Sequence, residues 1–218
     1  MKIFLLNKEY NSLKPSKIIR VLDRFEFAIN SLRQAKFVEK YRIRKVFFIK
    51  SYDKNIDYDS IFKCLEHVEK LDLCRFFSAK KKKPKKVDCS FLRYLKNVKI
   101  LNIDECHNLG SECFKYFPKL KTLNMGRCGP FVKIEDFKYI KNLKYLSMNL
   151  GLHCIKSTKC FKYLDNLEFL DLYIDVKDID YNKKDFKYLK SLEVLYFNIS
   201  TSISDITQIP YDTLINLK

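Results

Sequence analysis

The apolar positions of this chain recur as one phrase. It reads LRYLKNVKILNI from Leu92, FKYFPKLKTLNM from Phe114, FKYIKNLKYLSM from Phe137, FKYLDNLEFLDL from Phe161 and FKYLKSLEVLYF from Phe186. An earlier copy, FKCLEHVEKLDL, starts at Phe62, and a partial one, YDTLINLK, starts at Tyr211 and stops at Lys218. The shared frame is Φ-x-x-Φ-x-x-Φ-x-x-Φ-x-Φ. Its late anchors, Leu71, Leu101, Leu123, Leu146, Leu170 and Leu195, are spaced 30, 22, 23, 24 and 25 residues apart. The long interval holds a seven-residue basic run, residues 80–86, and without it the interval falls to 23. The run therefore reads as a loop inserted into a regular array.

Each copy contains two periods. Its first part, such as Phe137, Ile140 and Leu143, steps by three, which suits a short α or 3₁₀ segment with one buried stripe. Its second part, such as Leu146 and Met148, steps by two, which suits a short strand. The frame predicts strands centred near residues 47, 72, 102, 124, 147, 171 and 196. It predicts Leu101, Ile103, Leu123, Met125, Leu146, Met148, Leu170 and Leu172 as buried. Asp136 and Asp185 precede the phenylalanine, where a carboxylate is expected to cap the helical turn. Such a unit cannot bury its own apolar face, whereas stacked copies share one core.

These copies resemble the leucine-rich repeat family, whose diagnostic stretch is L-x-x-L-x-L-x-x-N/C-x-L. Residues 98–109, with Val98, Leu101, Ile103, Cys106 and Leu109, fit at every position, and residues 120–131, with Cys128, fit nearly as well. Gly151, Asp175 and Ser200 stand where Asn or Cys is usual. In the family that position bonds the backbone of the turn after the strand, which Asp and Ser can do and Gly cannot. Two earlier copies fit the frame more loosely: Ile43, Val46, Phe48 and Ser51, and before them Ile19, Leu22, Phe25, Phe27 and Asn30. The expected organisation is an N-terminal cap over residues 1–14 and an α/β solenoid over residues 15–218, with a curved parallel sheet and short helical segments on the convex side. The repeat match is firm from about residue 60. The cysteine-bearing repeats and the FKYLKNL phrasing are similar to leucine-rich repeat proteins of large insect-infecting DNA viruses.

Composition narrows the class. Of 218 residues, 47% are hydrophobic and 15% aromatic, which excludes a disordered chain. No run approaches 18 apolar residues, so no membrane span is expected. The N-terminus lacks a secretory apolar region, so the eight cysteines are expected as free thiols in a reducing, intracellular compartment, cytoplasmic or nuclear. The net charge of +17 comes from 35 Lys and 8 Arg, and the scarcity of Ala, Gly and Pro matches A/T-biased codon usage.

The distribution of charge matters more than its sum. If Leu146 and Met148 point inward, Tyr145, Ser147 and Asn149 point onto the concave sheet. Across the five strands from Leu101 onward, the outward set holds two aspartates and no lysine or arginine. The lysines fall in the helical and ascending segments. That argues against nucleic acid on the concave face and for a protein partner. Tyr145, Phe169, Tyr173 and Tyr196, with Asp171 among them, form the candidate contact patch. Alternatives are a substrate receptor for ubiquitin ligation, implied by the resemblance to F-box repeats but lacking room for the F-box, and a polyanion binder using convex lysines.

Other features carry structural readings. Lys80, Lys81, Lys82, Lys83, Lys85 and Lys86 resemble an import signal, set against a solvated loop. Tyr94, Tyr116, Tyr139, Tyr163 and Tyr188 form a convex row expected to cover the core edge. Cys106, His107, Cys113 and Cys128 lack zinc-site spacing. No catalytic constellation or cofactor motif is present, so no enzyme, metal or cofactor is expected. The array ends half a repeat beyond Leu195, which predicts an open strand edge and either weak self-association through it or fraying from about Ser200 onward.

Overall fold

The structure, a computed structural model, describes residues 2–3, 26–49, 56–77, 85–151, 155–174, 180 and 182–199. The described strands form one open, curved, wholly parallel sheet in strict sequence order, β1 to β9. They are β1 (Lys2–Ile3), β2 (Glu26–Ile29), β3 (Lys45–Phe48), β4 (Lys70–Asp72), β5 (Ile100–Asn102), β6 (Thr122–Met125), β7 (Tyr145–Leu150), β8 (Phe169–Ile174) and β9 (Val194–Ile199). The seven predicted strand centres all fall within β3 to β9. From β2 onward each connection returns on the other side through a helical segment. Two are α-helices, α1 (Leu32–Lys40) and α2 (Tyr58–Lys63). The later ones are 3₁₀ turns at Ser90–Tyr94, Ser111–Tyr116, Ile134–Ile140, Thr158–Tyr163 and Lys183–Tyr188. A three-residue apolar step aligns side chains in a 3₁₀ turn, which is why this form prevails where the phrase is most regular.

The core lies between the sheet and the helical row. Leu101, Leu123, Leu146 and Leu170 are laterally paired and at most 1% exposed, and Ile103, Met125, Met148 and Leu172 are at most 2% exposed. Behind them runs a phenylalanine spine. Phe62 stacks on Phe91 at 4.9 Å, Phe114 meets Phe137 edge-on at 5.5 Å, and Phe161 meets Phe186 at 5.0 Å.

Two expectations need correction. The frame set Phe25 opposite Val46, but Phe27 pairs with Val46 and Ile29 with Phe48. A two-residue slide keeps the same side chains inward, so alternation could not separate the two registers. Burial does, because Ile29 is completely enclosed. Asp136 and Asp185 do not cap their own turns. Ser111 Oγ donates to Asp136 Oδ2 at 2.7 Å, and Thr158 Oγ1 donates to Asp185 Oδ2 at 2.6 Å, so each carboxylate ties its repeat to the one before. Capping falls to residues further upstream, as where Asn182 Oδ1 accepts from Lys184 N at 3.0 Å. The paired positions one step earlier hold Cys89 and Cys113. Their contact lowers the Cys89 pKa, while burial raises that of Cys113.

The turn position after β5 and after β6 behaves as the resemblance implied. Cys106 Sγ donates to Leu73 O at 2.8 Å and Cys128 Sγ to Ile103 O at 3.6 Å, each reaching back one repeat. Burial pushes the Cys106 thiol up to about 12. Gly151 adopts φ 134°, a left-handed value where a side chain would be strained. Asp175 and Ser200 lie outside the described residues, as do the half-repeat at 211–218 and most of the cap. On either side of the basic run the chain is pinned to one residue: Asn108 N donates to Phe77 O at 3.2 Å, and Val87 N donates to Asn108 O at 2.9 Å. Among the described residues no helix is long and apolar enough to cross a membrane, and the seven described cysteines form no disulfide.

Leu146→Ala should destabilise the chain by about 2–5 kcal/mol in urea denaturation, as a core truncation. A change within error would remove Leu146 from the core. His67 supplies a pH test. It is 8% exposed, and among the described residues neither ring nitrogen makes a well-formed hydrogen bond. Burial, aided by Arg42, lowers its pKa below the ordinary 6.5, with the main chain at Ile43 and Val38 and the charge of Glu39 opposing in part. The unfolded chain then binds the proton more readily, so stability should fall as pH drops below about 6.5 toward the folded value. His67→Leu should remove that part of the slope between pH 7.5 and 5.5. An identical slope in the variant would show that His67 is not its source.

Candidate functional site

The register of β7, β8 and β9 sets outward side chains into three rows of three. They are Tyr145, Phe169 and Val194; Ser147, Asp171 and Tyr196; and Asn149, Tyr173 and Asn198. Inward neighbours such as Leu146, Leu170 and Leu172 are wholly buried, so the strand pleat drives this set onto the concave face. Tyr145 and Phe169 stack at 4.4 Å with 14° between their planes, and Phe169 meets Tyr196 at 5.3 Å and 46°. Tyr173 is 41% and Tyr196 57% exposed, large values for aromatic side chains on a sheet. Asp171 Oδ2 accepts from Ser147 Oγ at 3.0 Å. The Tyr145 pKa is raised by burial first, then by the nearby Asp171 and Tyr196. All five predicted contact residues thus share one continuous surface.

The same face changes character toward β2. Asp72, Asn102 and Asn124 continue the row of Asp171, but their side-chain oxygens accept from the main chain two residues on, at Cys74, Asp104 and Gly126 (2.9, 3.1 and 3.3 Å). Those oxygens close the ends of short strands. Lys45 and Lys70 enter the row of Tyr145, where Lys70 pairs with Glu26. A shallow groove of about 230 Å³, lined by Arg44, Lys45, Glu69, Lys70, Lys99 and Ile100, marks this basic end. Sequence reasoning missed it because the outward register was followed only from Leu101. The KVFF and KLD strands carried the signal, each with a lysine at the position of Tyr145.

One rim carries a ladder that the sequence did not reveal. Arg75, Glu105 and Arg127 hold the same turn position in consecutive repeats. Glu105 takes both Nε and Nη2 of Arg75, at 2.7 and 3.0 Å, and pairs with Arg127 on its other side. Arg75 and Glu105 adopt left-handed φ values of 62° and 56° to hold this geometry.

On the convex side each tyrosine of the predicted row is half-buried or exposed and lies beneath the basic side chain that precedes it. Arg93 stands 4.4 Å from the Tyr94 ring centre, Lys115, Lys138 and Lys162 stand 5.0 Å from Tyr116, Tyr139 and Tyr163, and Lys187 stands 5.1 Å from Tyr188. Arg93 is also neutralised by Asp59 at 2.8 Å. Of the basic run, Lys80 to Lys83 lie outside the described residues, Lys85 is exposed and Lys86 pairs with Glu112 at 2.9 Å. Cys106 and Cys128 spend their thiols on carbonyls, and no group of three or more potential metal ligands converges among the described residues.

No protein-family model matches the sequence, and no curated protein is significantly similar to it. Solved structures do match. The chain is similar to internalin C2 of Listeria monocytogenes, at 16% identity and TM-score 0.54, over 87% of this chain and 74% of that one. It is similar as well to TLR13 in its complex with the single-stranded RNA ssRNA13, at 19% identity and TM-score 0.55, over 95% of this chain but only 31% of that one. These likenesses and the sheet together define the fold as a leucine-rich repeat solenoid.

Proposed function

We propose that this chain is a protein-binding repeat module, not an enzyme, and that its contact surface is the concave face of β7 to β9. One observation carries the reading: Tyr145, Phe169 and Tyr196 form a stacked, partly exposed aromatic strip with no lysine or arginine in the three rows around it. In a chain of net charge +17, an aromatic surface free of basic side chains is an exception, and it has the composition of an interface core. The rows are carried by a rigid sheet, so binding needs little ordering of the receptor. The free thiols support an intracellular setting. The division into an N-terminal cap and one repeat array belongs to the same reading.

A second reading has its own observation. Lys115, Lys138, Lys162 and Lys187 repeat along the convex ridge, each over a tyrosine, and no ion pair with a carboxylate engages them among the described residues. This surface suits a polyanion, and the RNA complex of TLR13 gives that ligand class a precedent in the fold. The two readings separate by salt and by variant. Capture of a partner from the native cell should be lost in Tyr173→Ala/Tyr196→Ala and persist from low to physiological salt. Capture that survives this variant but collapses with salt, and fails in Lys138→Glu/Lys162→Glu, would replace the concave reading with the convex one.

A further inference from the structure

Several carboxylates on this protein's surface pair with a basic side chain. Asp59 holds Arg93 at 2.8 Å, Glu69 holds Lys99 at 3.2 Å, Glu105 holds Arg75 at 2.7 Å and Glu112 holds Lys86 at 2.9 Å, while Glu168 pairs with Lys144 at 2.5 Å. With 43 basic residues against 26 acidic ones, that outcome is expected. Asp171, in the middle of the aromatic grid, is not among them. Its hydrogen bond comes from the neutral Ser147 hydroxyl, and no lysine or arginine among the described residues forms an ion pair with it.

Its position explains why. Asp171 is the central residue of the three-by-three grid. Phe169 and Tyr173 flank it along β8, Tyr196 lies opposite on β9, and Tyr145 is diagonal to it on β7. The aromatic side chains keep the chain's own lysines away. Nor is the carboxylate spent on the backbone. Asp72, Asn102 and Asn124, in the same row, bond the main chain at strand ends. β8 runs on to Ile174, so Asp171 lies mid-strand, beyond the need for such a turn. Ser147 engages Oδ2, and among the described residues no lysine or arginine pairs with either oxygen.

We propose that Asp171 and its surrounding rings form a recognition site for one cationic side chain, a lysine or arginine, presented by the partner protein. A carboxylate and aromatic faces both attract a cation, and each gains strength as water is displaced. The exposed rings of Tyr173 and Tyr196 border the site, and the ion pair supplies the specificity that an apolar strip alone lacks. A neutral hydrogen-bond donor would satisfy Oδ1 but would leave the charge uncompensated on closure. The inference rests on the reading of the concave face as the contact surface.

The test uses the full chain and four small probes: lysine and arginine blocked as their acetyl amides, with norleucine and citrulline blocked likewise as neutral counterparts. Ring signals of Tyr173 and Tyr196 are followed by NMR during titration. The lysine or arginine probe should give saturable shifts, and the neutral probes should bind at least roughly tenfold more weakly. Asp171→Asn should remove the preference for the cation at unchanged melting temperature, and Asp171→Glu, which keeps the charge, should retain it. No binding by the cationic probes, or equal binding by citrulline, would overturn the site. Concentration-dependent self-association abolished by Asp171→Asn would assign the cation to a second copy of this chain and overturn the partner. Partner capture separates the two levels of argument. Loss in Tyr173→Ala/Tyr196→Ala with full retention in Asp171→Asn would reject the cation site and leave the contact surface standing. Retention in both would reject both.

Discussion

Everything in this protein depends on lateral register. A single repeat offers one strand and one short helical turn, too little to enclose its own leucines and phenylalanines. Parallel pairing at about 4.8 Å between strands places Leu101, Leu123, Leu146 and Leu170 side by side, and each closes the core of its neighbour. Once that row is fixed, every other position must also form a row. The phenylalanine spine, the convex tyrosines and the outward triplets of β7 to β9 all follow from one alignment. A surface on such a protein is read across strands, not along them.

Strand length then decides which polar side chains remain for binding. β4 and β5 have three residues and β6 has four, so Asp72, Asn102 and Asn124 lie close to strand ends and close turns there. β7, β8 and β9 have six residues each, which moves Ser147, Asp171 and Tyr196 into strand interiors, where the ladder already satisfies the backbone. The candidate site thus lies where the array lengthens its strands. Part-buried polar ties do the reverse work at the back, since Ser111 with Asp136 and Thr158 with Asp185 join successive helical turns.

The sequence made much of this legible because period three and period two alternate inside each copy, and a one-residue slip would have exposed the whole buried set. The same logic places Tyr145, Phe169, Asp171, Tyr173 and Tyr196 on one face, as the register of β7 to β9 does. It could not set β2 correctly, because sliding Phe27 and Ile29 by two residues leaves the buried face unchanged. It misread Asp136 and Asp185, because a local cap and a bond to the preceding repeat need the same residue type. It missed the basic end of the concave face at Lys45 and Lys70, which lies in the repeats where the phrase is least regular. Whether a carboxylate has a cation beside it depends on side chains from three strands, and no linear pattern records that.

The rim ladder of Arg75, Glu105 and Arg127 bears on how such an array can change over generations. Neighbouring rungs carry opposite charge, and two of them rest on left-handed backbone. Copying one of these units in place would set like beside like, Glu against Glu or Arg against Arg, along a ridge whose spacing is fixed by the sheet. Copying two together would preserve the alternation. At this rim the solenoid therefore has a grammar of pairs: its units are similar in shape but not interchangeable in order, and growth by doublets is the path of least electrostatic resistance.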